Sequence, residues 1–139
     1  MKSVRILAFV LVLCGPSTAL ACDCSAPVSV KEAKKHAEVV FRGTITDISE
    51  GMAHFRVERV WKGKVGRYFE MDGIPEGSAC IGFWPDLLSI GNDLLVYAFR
   101  LPDKEWPYFT SICTRTRKAS SASEDFRKLG RSRPPGQNE

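Results

Sequence analysis

Cysteine is the residue type in this 139-residue chain whose number and spacing most invite chemistry. Five are present, at Cys14, Cys22, Cys24, Cys80 and Cys113. A Cys-x-Cys pair offers two thiols to a metal or to a redox partner, or two anchors for disulfides. Which applies depends on the compartment, because thiols persist in reducing surroundings and bridges in oxidising ones. His36 and His54 stand apart in the sequence, without metal-ligand spacing and without a nucleophile beside them, and read as surface or packing residues. Trp61, Trp84 and Trp106, with Phe83 and Tyr108, could form an aromatic binding face, although such residues more often serve as core and rim. No glycine-rich phosphate loop or paired-carboxylate signature points to an enzyme.

The compartment is legible in the first 21 residues. Lys2 and Arg5 precede the apolar run 6–13, and Ala19-Leu20-Ala21 supplies the small-x-small site of a leader peptidase. The run is short of the roughly 20 apolar residues that span a bilayer. The expectation is a cleaved leader over 1–21 and a product secreted to an extracellular or periplasmic space. Cys14 leaves with the leader, and four cysteines in a small exported chain read as two disulfides. In extended backbone, side chains at i and i+2 point the same way without converging, so Cys22 and Cys24 should each reach to Cys80 or Cys113. A lipidated Cys22 is the least favoured alternative, because leucine is expected earlier in a lipoprotein box than Leu20 stands.

Removing Lys2 and Arg5 lowers the net charge from +4 to +2, too mild and too scattered for nucleic acid or an anionic membrane. The remaining residues, 22 to 139, are about the modal length of one domain. Ser29 and Glu32 form a capping-box signature, which predicts a helix over 30–36. Strands are expected over 38–48 with a bend at Gly43, over 52–61 after a turn at 49–51, over 65–71, over 93–99 as the central strand, and over 108–114. Gly73, Gly77, Gly82 and Gly91 with Pro75 and Pro85 mark a long connection that carries Cys80. Ser121 and Glu124 read as a second capping box, opening a helix that Gly130 ends. Residues 131–139 lack apolar side chains and read as a disordered tail beyond a domain at 22–130. The sum is an all-β fold with small flanking helices: a five-stranded barrel of the oligonucleotide- and oligosaccharide-binding (OB) type with a disulfide-stapled N-terminus.

The segment Cys22-Asp23-Cys24-Ser25-Ala26-Pro27 resembles the start of the N-terminal, netrin-module-like domain of tissue inhibitors of metalloproteinases. The likeness continues through residues 37–43, 57–63, 78–82, 91–98 and 109–113. It implies the OB-type barrel and the pairing Cys22–Cys80 and Cys24–Cys113. It implies no cofactor of the chain's own, a monomer, and a zinc metalloproteinase as partner. The α-amino nitrogen and carbonyl oxygen of Cys22 would chelate the zinc of the target protease. Asp23 would enter its first primed-side pocket, with Cys24, Ser25, Ala26 and Pro27 along the cleft and Ser78 and Ala79 beside them. Three departures accompany it: Asp23 replaces a small hydroxyl residue, no cysteine stands near Lys35 for the family's third bridge, and the second, cysteine-rich domain is absent. The competing expectation is a secreted module of the same fold that binds a protein or glycan without inhibiting proteases.

Overall fold

The computed structural model describes Cys22, Cys24 and residues 28–73, 80–100 and 107–136. Its elements run α1 (Val30–His36), β1 (Val39–Ser49), β2 (Met52–Lys62), β3 (Tyr68–Asp72), β4 (Asp93–Ala98), β5 (Arg117–Lys118), a single 3-10 turn (Ala119–Ser121) and α2 (Ser123–Leu129). The strands form one antiparallel sheet in the order β3-β2-β1-β4-β5. Among the described residues no ladder closes it.

Local chemistry explains most of these boundaries. The Ser29 hydroxyl accepts the Glu32 amide at 3.2 Å and the Glu32 carboxylate accepts the Ser29 amide at 3.3 Å, so α1 opens on the expected capping box. Lys62 closes it, its ammonium donating to the Lys34 and Lys35 carbonyls at 2.8 and 2.9 Å. β1 and β2 meet in a hairpin whose two central residues, Glu50 and Gly51, have φ of 52° and 79°, the conformation a two-residue turn between twisted strands needs. The ladder shifts register between Arg42 and Gly43. A Cβ at Gly43 would lie 2.9 Å from the Arg56 carbonyl oxygen, so the bend depends on a residue without a side chain.

The strands bury both faces. Val39, Phe41, Ile45, Phe55, Met71, Leu94 and Val96 fill one, where the rings of Phe41 and Phe55 meet edge to face with centroids 5.3 Å apart. Each such side chain contributes about 1.5–3 kcal/mol by leaving water. Val40, Leu95 and Tyr97 point to the other face, onto α1 and α2 through Val30, Ala33, Ala122 and Leu129. β4 is accordingly apolar on both sides and lies inside the sheet, as its composition implies.

Three expectations are corrected. Residues 108–114 are not the fifth strand: Phe109 and Ser111 make only isolated bridges, to Phe99 and Ile81, and the ladder with β4 is made by Arg117 and Lys118. Hydroxyl side chains compete for the backbone there, with Thr114 donating to the Ser111 carbonyl at 2.8 Å, the Ser111 hydroxyl accepting the Cys113 amide at 3.1 Å, and the Thr116 hydroxyl accepting the Tyr97 amide at 3.0 Å. The second capping box does not form either. Ser121 belongs to the 3-10 turn, Ala122 occupies the N-cap without a side-chain bond, and Glu124 is drawn to Arg115 and Lys128. Gly130, at φ 77°, does end α2. Finally, residues 131–136 are not a free tail: Arg133 exchanges both backbone bonds with Val60 at 2.9 Å, and the Gly136 amide donates to Val65. Backbone groups of Val60 and Val65 hold this segment where apolar side chains do not. Residues 137–139 lie outside the described residues.

Candidate functional site: the disulfide-fastened N-terminal arm

Cys22 is bonded to Cys80 and Cys24 to Cys113, with Cα separations of 5.4 and 5.2 Å. The two anchors are neighbours. Ile81 bridges Ser111, the Ile112 amide donates to the Cys80 carbonyl at 3.2 Å, and the Ser111 hydroxyl donates to the same oxygen at 2.8 Å. Two cysteines two residues apart, Cys22 and Cys24, are thus tied to two adjacent backbone segments. Such cross-links restrict the unfolded chain as well, over separations of 58 and 89 residues.

A third fastening comes from a buried ion pair. Arg115 donates from Nη1 to the Val28 carbonyl at 3.0 Å, while Nε and Nη2 grip Asp125 at 2.7 and 2.9 Å. Tyr97 donates its hydroxyl to the same carboxylate at 2.8 Å. Asp125 is wholly buried. Burial alone would raise its pKa, but the hydrogen bonds from Arg115 and Tyr97 and the charges of Arg115 and Arg117 outweigh that and hold the carboxyl below its usual range. Tyr97 moves upward, first because it is buried and then because it donates to a carboxylate. Neither Arg115 nor Asp125 stands out in the sequence: each sits among polar neighbours that read as a solvated face. No spacing rule brings residues from 28, 97, 115 and 125 together; only the fold does.

Asp23, Ser25, Ala26, Pro27, Ser78 and Ala79, the other residues the resemblance singles out, lie outside the described residues, as do the leader and Trp106. The remaining aromatic residues do not share one face. Trp61 stacks on Phe126 at 5.5 Å and donates its indole N–H to the Gly130 carbonyl at 3.0 Å. Phe83 is buried beside Phe55, and Tyr108 lies on Phe69 beneath the Arg100 guanidinium. Trp84 stands 49 % exposed.

His54 has neighbours that its sequence position conceals. Its Nε2 is 3.1 Å from the Ser49 hydroxyl and its Nδ1 is 3.6 Å from the Glu70 carboxylate. Ser49, however, donates to Asp47 at 2.7 Å. The single hydroxyl proton is thereby committed to a carboxylate, so His54 must donate to the Ser49 oxygen rather than take a proton from it. That polarity is the reverse of what activating a serine nucleophile requires.

Among the described residues no group of three or more His, Cys, Asp or Glu side chains could hold a metal ion, and no helix is long and apolar enough to cross a membrane. No family model, curated protein or solved structure matches the chain.

Proposed function

We propose that this chain is an exported inhibitor of zinc metalloendopeptidases, acting through the backbone of Cys22 on an OB-type barrel. The observation that carries the reading is the double fastening of Cys22 and Cys24 to adjacent segments. Cutting the leader after Ala21 makes Cys22 the first residue. Its sulfur is then a tether, and its α-amine and carbonyl are a preformed chelating pair.

The chemistry follows from the target. A catalytic zinc keeps one position for water, and a nitrogen and an oxygen from one residue can displace that water as a five-membered chelate. A free α-amine has a pKa near 7.7–8.0, roughly, so it gives up its proton to a metal at modest cost. Fastening supplies the rest, because Cys22 and Cys24, each held by a bridge, and Val28, held by Arg115, have less freedom to lose on binding than a free chain end has. Asp23, Ser25, Ala26 and Pro27 would then follow the cleft, with Ser78 and Ala79 beside them. A carboxylate at Asp23 suits a protease with a basic first primed-side pocket and opposes one whose pocket is apolar. The bridges also belong to an oxidising compartment, in keeping with export.

Adding one alanine before Cys22 tests the reading directly. It moves the free amine off the chelating residue while leaving both bridges in place. Against a panel of zinc endopeptidases, the native-start protein is expected to inhibit at least one, and the extended protein to lose about 100-fold or more, the loss of about 2.7 kcal/mol that removing a metal ligand readily exceeds. Equal inhibition by the two forms would refute the chelate. Inhibition by the native form should also weaken below roughly pH 7, where protons compete for the amine.

A further inference from the structure

We propose that residues 59–67 and 127–136 together form a basic face that adsorbs to an anionic phospholipid bilayer. It does not rest on the inhibitor reading. The first segment holds four cations, from Arg59 to Arg67, the second holds four, from Arg127 to Arg133, and neither contains an Asp or Glu. With Lys2 and Arg5 removed the net charge is +2, so these eight cations leave net −6 for everything else. The mild total conceals a strongly two-sided distribution.

The fold joins the two segments. Arg133 exchanges both backbone bonds with Val60, the Gly136 amide donates to the Val65 carbonyl, and the Arg133 guanidinium donates to the Gly63 carbonyl. Trp61 stacks on Phe126 and donates to Gly130, which seats the end of α2 on the same stretch. Arg59, Lys64, Arg67, Arg127 and Arg131 are exposed, and among the described residues none has a carboxylate within ion-pair distance. Of the eight, Lys128 is the one that is paired, with Glu124, and the adjoining Glu58 faces Arg42.

Two features select a bilayer among anionic partners. The cations do not form a row, because the first segment turns at Gly63, with φ 78°, and the second at Gly130, with φ 77°. A linear polyanion meets charges along a line, whereas a bilayer meets them across a plane, and every Lys or Arg near that plane adds to the attraction. The second feature is Tyr68, which follows Arg67, pairs with Arg56 across the β2 and β3 ladder and is 63 % exposed. A tyrosine at the rim of a basic face suits the headgroup level, where its ring meets hydrocarbon and its hydroxyl meets water. The face also lies away from the arm. Arg115 holds Val28 just before α1, and Lys62 binds the carbonyls of its last turn, seven residues or about 10 Å further on.

Co-sedimentation of the native-start protein with vesicles tests this. Phosphatidylcholine vesicles containing about 30 mol % phosphatidylglycerol are expected to bind it and pure phosphatidylcholine vesicles are not, with binding at least about tenfold weaker in roughly 300 mM salt than in 50 mM. Lys64→Glu with Arg131→Glu should weaken binding about thirtyfold or more, since each reversed charge opposes the surface. Lys31→Glu with Lys118→Glu makes the same change in net charge outside the face and should alter binding by less than about threefold. All four side chains are exposed and without ion-pair partners among the described residues, so circular dichroism and the unfolding midpoint should stay as in the native protein. No binding to the anionic vesicles in low salt would overturn the proposal. So would equal losses in the two variant pairs, or binding to heparin or a DNA duplex that is as tight as to the vesicles at equal anionic charge.

Discussion

On one face of β4, Leu94, Val96 and Ala98 join Phe41, Phe55 and Met71 in a hydrocarbon layer; on the other, Leu95 and Tyr97 share their layer with a buried guanidinium and carboxylate. Both faces are closed to water, and the sheet would be covered equally well by apolar side chains on either. The difference lies in what each face holds. The hydrocarbon layer joins strand to strand through contacts that have no donor or acceptor direction. The charged layer is directional: Arg115 reaches Asp125 on α2, the Tyr97 hydroxyl shares that carboxylate, and Nη1 of the same guanidinium donates to the Val28 carbonyl at the root of the arm. Buried polar groups of this kind add little net stability over apolar replacements, but they specify one arrangement.

The largest effect should come from breaking that pair on one side. Arg115→Met leaves the buried Asp125 with only the Tyr97 hydroxyl and the Arg117 guanidinium at 3.9 Å, and is expected to cost about 3 kcal/mol, measured by urea unfolding with the disulfides intact. Arg115→Met with Asp125→Leu should recover much of the loss, because no stranded charge remains, while hydrogen exchange at Val28 and Ser29 stays faster than in the native protein. A double variant that is as unstable as the single one would make the pair a source of stability rather than of placement. The pH dependence has a definite sign. The Asp125 pKa is lower in the folded chain, so the pair contributes fully above the unfolded value of roughly 3.9 and its contribution is lost as pH falls through the folded value. Stability should decline below about pH 4, and less steeply in Asp125→Asn.

A smaller loss is expected from Tyr97→Phe, which keeps the ring in the layer and removes one donor to the carboxylate. Hydrogen bonds to charged groups contribute about 1.5–3 kcal/mol, and Arg115 remains to share the charge, so the lower end applies. If the charged layer positions the arm through Arg115 alone, Tyr97→Phe should leave exchange at Val28 unchanged while lowering global stability. Faster exchange at Val28 would show that the hydroxyl helps to aim the guanidinium.

The hydrocarbon face is largely legible in the amino-acid sequence, and the charged one is not. Alternation in 52–61, the apolar run of 93–99 and the capping box at Ser29 are local signals, set by side chains two to four residues apart, and they place α1, β1, β2 and β4 nearly to the residue. β5 escapes such signals because the hydroxyls of Thr110, Thr114 and Thr116 take hydrogen bonds that a strand pattern assigns to the ladder. The second capping box is lost for a related reason: the Glu124 carboxylate accepts from Arg115 and Lys128 rather than from the Ser121 amide. Cysteine spacing is enough to indicate a fastened arm, whereas its third hold at Val28 needs residues 87 positions apart to meet.

The smallest effect belongs to Ser29, and it separates the helix from the arm it follows. Ser29 lies next to Val28, and its hydroxyl does two things: it accepts the Glu32 amide at 3.2 Å and bonds the Glu32 carboxylate at 2.9 Å. Ser29→Ala removes the cap and should cost about 1 kcal/mol. The loss is local, because α1 is only seven residues long and is held chiefly by Val30 and Ala33 against the sheet and by Lys62 at its other end. If Cys24–Cys113 and Arg115 set the arm's position between them, Ser29→Ala should leave inhibition by a native-start protein within about twofold while lowering the unfolding midpoint. A loss of inhibition as large as that from the added alanine would mean that the cap, and not the bridges and the guanidinium, fixes the direction in which Cys22 faces.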